Sequence, residues 1–119
     1  MANVNSSVSE LMQIDGAGAA MVVDYHTGMI LGKEGGGVNL DVAAAGNTEV
    51  VRAKMKTMKA LGIKGSIEDI LITLDDQYHV IRPVADKEGL FIYLVLSKAK
   101  SNLAMARYKV TAIERELTI

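Results

Sequence analysis

Gly28-Met-Ile-Leu-Gly32-Lys33 is the segment whose residue types come nearest to a known chemistry. A phosphate loop cradles a nucleotide on glycine-rich backbone N–H groups and a lysine, and the hydroxyl after the lysine holds magnesium. Here the glycines stand one residue too close and Glu34 occupies the hydroxyl position. Nucleotide binding is therefore not expected, and Lys33 reads as the solvent-facing end of a strand. His26 and His79 are the two histidines and Cys is absent, so no metal-ligand spacing forms. His26 reads as a turn residue and His79 as a strand-surface residue. Asp75 and Asp76 are adjacent carboxylates at a turn, with no third acid to join them. Ser66, in Gly65-Ser66-Ile67-Glu68, lacks the flanks of a nucleophile elbow. With no nucleophile, base and oxyanion group brought together, the expectation is a protein that is not an enzyme and carries no metal or cofactor.

What remains are the elements themselves. Ser7-Val-Ser-Glu10 has the capping-box pattern and predicts a short helix over Ser7 to Ile14, ended by Asp15-Gly16-Ala17-Gly18. Ala19 to Tyr25 and Met29 to Lys33 are apolar stretches around the turn residues Asp24 to Gly28, a hairpin. After Gly35-Gly36-Gly37 a long helix is predicted over Val38 to Leu61, closed by Gly62. Ile70 to Leu74, Tyr78 to Val84 and Leu90 to Leu96 read as strands. Pro83 is tolerable only near a strand end or on an edge, and the charge-free last strand is expected to be buried on both faces. Lys100 to Leu117 is the closing helix, with an apolar stripe of Leu103, Ala106, Val110, Ile113 and Leu117. The order α-β-β-α-β-β-β-α, with short links between strands, predicts an α+β sandwich of antiparallel sheet and helices.

At 119 residues the chain suits one domain, 1–119, in which residues 1–6 are expected to be flexible. Half its residues are hydrophobic, which excludes a disordered tail. A formal charge of −1 gives no basic footprint for nucleic acid. Met1 to Asp15 lacks a basic n-region and an apolar h-region, and no apolar run approaches a bilayer's thickness. A cytoplasmic protein with no secretory signal and no membrane span is expected.

The central helix is the most informative element. Leu40, Ala44, Asn47, Val51, Met55 and Met58 share the face that must meet the sheet. A second stripe, Val42, Gly46, Val50, Ala53, Thr57 and Ala60, lies roughly 150° away on the helical wheel. Ala and Thr on a solvated helix are ordinary by themselves. The spacing and the two valines instead favour a seam packed against the same helix of a second copy. Arg52, Lys56 and Lys59 form a third, basic side. Between Asn39 and Lys64 five cations face two carboxylates, a local net charge of +3 that leaves −4 for the rest of the chain. Cations near a helix C-terminus and an Arg52–Glu49 pair would account for part of this; steering of an acidic protein partner is the functional reading.

Several segments in their order also form a familiar pattern. They are Val22 to Leu31 as a first hairpin, Leu40 to Ala45 with Glu49 to Lys59 as a central helix, and Ile67 to Leu74 with Tyr78 to Pro83 as a second hairpin. Leu90 to Leu96 and Asn102 to Arg107 follow as closing strand and helix. From Ser7 to Leu117 the chain resembles the Roadblock family of dynein light chains and bacterial Mgl-type GTPase regulators. The resemblance implies a profilin-like, five-stranded antiparallel sheet with helices on both faces. It implies homodimers or heterodimers in which central helices pair and one strand from each copy joins the sheets. That strand would be Ile70 to Leu74, adding Ile70, Ile72 and Leu74 to the interface. It implies a small Ras-like GTPase as partner, with Arg52, Lys56 and Lys59 as contacts. A self-assembling adaptor module and a small-ligand sensor are the alternative readings; scarce aromatics and the lack of convergent buried polar groups weigh against the sensor.

Overall fold

A computed structural model describes residues 2–118. The elements are α1 (Val4–Leu11), β1 (Ala17–Asp24), β2 (Met29–Gly35), α2 (Leu40–Ala60), β3 (Ile70–Thr73), β4 (Gln77–Pro83), β5 (Leu90–Ser97) and α3 (Leu103–Glu116). The five strands form one antiparallel sheet in the order β2-β1-β5-β4-β3. The expected α+β fold and element order are present.

Because side chains alternate along a strand, the sheet carries two separate cores. On one face Ala20, Val22, Val80, Ile92 and Leu94 pack beneath Val8 and Leu11 of α1 and Ala106, Val110 and Ile113 of α3. On the other, Ala19, Met21, Val23, Phe91 and Tyr93 pack beneath Leu40, Ala44 and Val51 of α2. Every residue from Leu90 to Leu96 is buried, as its unbroken apolar run requires. Pro83 is the last residue of β4, where its missing N–H costs least.

The predicted boundaries shift where several cap residues compete locally. Ser7 does not cap α1: it lies inside the helix, fully buried, and its hydroxyl has no hydrogen-bond partner. Asn3 caps instead, its Oδ1 accepting from Ser6 N–H at 2.8 Å, and Ala2 bridges to Leu117. Of residues 1–6, expected to be flexible, Ala2 and Asn3 make these contacts and Val4 begins α1; Met1 lies outside the described residues. Asn39 starts α2 by accepting from Val42 N–H, and Asn102 starts α3 by accepting from Met105 N–H. At the far end of α2, Gly62 adopts φ +71° and donates to Lys59 O while Ile63 donates to Met58 O, the paired bonds of a Schellman cap. Gly35, at φ +88°, ends β2 where an added Cβ would stand 2.2 Å from Gly18 O, so a side chain there would push β2 off β1.

No described helix is long and apolar enough to cross a membrane.

Candidate partner-binding surface

α2 lies nearest the β1–β2 half of its sheet face. Its core stripe is buried at Leu40, Ala44, Thr48 and Val51, and it loosens at Met55 and Met58, which are half-buried. The opposite stripe faces outward: Val42 is 66% exposed and Val50 40%, and Gly46, Ala53, Thr57 and Ala60 are exposed too. An added Cβ on Gly46 would meet no atom within 4 Å, so nothing in the protomer covers the middle of this seam. Thr57 does not present a free hydroxyl, because it donates to Ala53 O at 2.9 Å. The seam is an apolar strip that an extra helix could approach closely.

Of the strand residues assigned to the same interface, Ile70 and Ile72 point to the α2 side and are half-buried against that core. Leu74 falls just beyond β3, its N–H donating to Gln77 O in the turn, and is exposed. The expected strand therefore ends at Thr73. β3 pairs with β4 on one side and is the last strand of the sheet, so its outer edge is unclaimed within the protomer.

Arg52, Lys56 and Lys59 project into solvent along one flank of α2, about 100° from both the core stripe and the seam. Among the described residues the ion pairs are Lys33–Asp41, Arg82–Glu114 and Arg107–Asp69. The Arg52–Glu49 pair anticipated from spacing is not formed, although both residues border the same shallow depression with Ala53 and Lys56. Among the described residues no carboxylate pairs with the basic row.

Two polar constellations have no local sequence signal. His79 is not a surface residue: it is half-buried, set edge-on to Tyr93 with ring centroids 5.5 Å apart. Tyr93 Oη lies 3.0 Å from His79 Nδ1, and His79 Nε2 lies 2.9 Å from Gln77 Oε1. The side chain of Asn47, from α2, acts on the same tyrosine. A neutral imidazole with its proton on Nε2 satisfies this chain, accepting from Tyr93 and donating to Gln77. Burial lowers the His79 pKa from the usual 6.5; burial also raises that of Tyr93, against the opposing effect of Asn47. Because the folded pKa of His79 lies below its unfolded value, the contribution is fully present above about pH 6.5. It is lost as the pH falls from there through the folded pKa. Thermal unfolding followed from pH 7.5 to 5 should show a decline that His79→Gln flattens; an unchanged slope in the variant would remove His79 from this role. The second constellation joins Arg82 of β4 to Glu114 of α3, whose other oxygen accepts from Ala85 N–H at 2.9 Å.

No family model and no curated protein matches the sequence. Solved structures do match. The Roadblock/LC7 domain from Streptomyces avermitilis is similar at a TM-score of 0.81 and 14% identity, over 97% of this chain and 94% of that one. Myxococcus xanthus MglB gives 0.83 and 14%, over 95% and 89%. The gliding protein MglB from Thermus thermophilus gives 0.70 and 17%, over 93% and 87%.

Proposed function

We propose that this chain, whose fold is that of the Roadblock/LC7 domain, is a non-catalytic dimeric scaffold that binds and modulates a small Ras-like GTPase. The observation that carries the reading is the three-sided character of α2: one face seals the core, the opposite one is an exposed apolar seam, and the flank between them carries unpaired cations. The seam supports pairing with the α2 helix of a second copy, and the free edge of β3 supports joining of the two sheets. In a pair built this way the flanks stay outside the contact, available to an acidic partner. Modulation of the GTPase would come from favouring one arrangement of its switch segments.

The test is capture from native lysate on the immobilised protein, with GDP and with a non-hydrolysable GTP analogue, read by mass spectrometry. A Ras-like GTPase enriched in one nucleotide state is expected. Arg52→Glu with Lys56→Glu should weaken its capture at least about tenfold, equivalent to about 1.4 kcal/mol, and leave the dimer intact. An intact dimer that captures no GTPase in either state would overturn the reading in favour of a self-assembling module.

A further inference from the structure

Beside the cation row lies a groove of ≈ 410 Å³ that the GTPase reading does not use. It is lined by Tyr25, Met55, Met58, Ile63, Ile67 and Val84, contributed by the β1–β2 turn, the last turns of α2, the loop after it and the end of β4. Lys59 of α2 and Glu88 of the β4–β5 turn also line it; neither forms an ion pair with another described residue. Ile63 of its lining is 50% exposed, and Leu61, two residues before it, is 66% exposed. Two methionines and a loop wall make a floor that can adjust to its occupant.

We infer that this groove binds an acidic amphipathic helix from a partner protein. Charge and spacing carry the inference. Arg52, Lys56 and Lys59 recur at 4 and 3 residues along α2, a row of about 10 Å. A helix laid alongside carries carboxylates at the same period and over the same length. On the wheel Lys59 is next to Met55, so the basic row borders the apolar floor directly. A ligand helix can therefore set its acidic side against α2 and its apolar anchors, at i, i+3 or i+4 and i+7, into the groove. Strand addition does not fit this place, because the groove is lined by loop and helix and not by the free edge of β3. Lys64, just past the helix cap, is exposed as well. Glu88, the carboxylate among the lining residues, comes from the β4–β5 turn and not from α2, which sets the orientation: the acidic side of the ligand belongs towards α2.

The inference does not depend on the partner being a GTPase, and its test uses no GTPase. The probe is a fluorescein-labelled synthetic 18-residue peptide with leucines at helical spacing on one side and glutamates on the other. Two controls are a peptide of the same composition with the leucines scattered and one with every Glu replaced by Gln. Fluorescence anisotropy with the full chain should show saturable binding of the first peptide, at least tenfold tighter than either control. Lys56→Glu with Lys59→Glu should weaken it at least tenfold, and a peptide with Lys in place of Glu should then bind that variant better than it binds the native protein. Both positions are exposed, so the variant should fold; a native-like circular dichroism melt verifies it. No saturable binding, equal binding of the scattered control, or indifference to the lysine reversals would each overturn the inference, whatever the lysate capture shows. Met58→Glu supplies an independent check from the floor: binding that survives it unchanged would place the peptide elsewhere.

Discussion

Arg82→Ala should lower the unfolding free energy by about 3–5 kcal/mol, the range for removing one partner of a buried ion pair. The Glu114 side chain is 6% exposed and that of Arg82 17%, so water has little access to either. Arg82 Nε donates to one carboxylate oxygen and the Ala85 N–H to the other. With the guanidinium gone, one backbone N–H is left to hold a buried charge. For a chain of this size, whose total stability is of order 5–15 kcal/mol, such a loss approaches unfolding. Glu114→Gln should cost less, since the shape is largely kept, its Oε1 can still accept from Ala85 N–H, and Arg82, at 17% exposed the less buried partner, keeps more contact with water than Glu114 would. The double replacement Arg82→Leu with Glu114→Leu should cost less than Arg82→Ala, because it removes both charges together. Urea unfolding at pH 7 measures all three, with equal m-values as the sign that only stability has changed. A loss below about 1 kcal/mol for Arg82→Ala would mean that the pair is effectively solvated.

The second large effect concerns assembly. Ala53→Glu should convert the proposed dimer to a monomer in light scattering or sedimentation, while the protomer keeps its melt. Ala53 is exposed in the protomer, so the substitution changes only helix propensity there, a matter of tenths of a kcal/mol. In a helix pair 8–10 Å apart the same position has no room for a hydrated carboxylate. A twofold contact also inserts two like charges at once. A cost of about 4 kcal/mol would raise the dissociation constant about a thousandfold. Arg52 and Lys56 border the same depression and could partly neutralise the new charge. Ala53→Tyr, which acts by bulk alone, makes the test independent of them. A dimer unmoved by both changes would exclude the seam as its interface, and a native chain monomeric at all concentrations would exclude the dimer itself.

Much of this architecture is local and so can be read along the chain. Hydrophobic period distinguishes helix from strand because burial on one face repeats every 3.6 or 2 residues. The same period separates the three sides of α2, since a helix fixes the angle between any two of its residues whatever surrounds it. The uninterrupted apolar run Leu90 to Leu96 specifies a strand covered on both faces, and β5 lies in the centre of the sheet. The start of α1 was less legible: Asn3 and Ser7 can both cap, and each alternative is worth about the same. Packing decided it, through the Ala2–Leu117 bridge and the close fit of Val4 over Gly32.

The residues that tie the elements together belong to the tertiary structure alone. Arg82 meets Glu114 across 32 positions, Arg107 meets Asp69 across 38, and His79 meets Tyr93 across 14. Tyr93 apart, which lies in the buried run of β5, each is an ordinary surface-type residue in its own segment. None acquires its partner until the strands adopt the order β2-β1-β5-β4-β3 and α3 settles on β4. The groove beside Lys59 has the same origin, since Tyr25, Met58, Ile67 and Val84 come from four separate parts of the chain. The sequence determined which faces are apolar, charged or capped, because those properties depend on near neighbours and a fixed helical or pleated geometry. Which face meets which, and hence where a cavity or a buried charge lies, depends on contacts between segments far apart in the chain, and only folding brings those about.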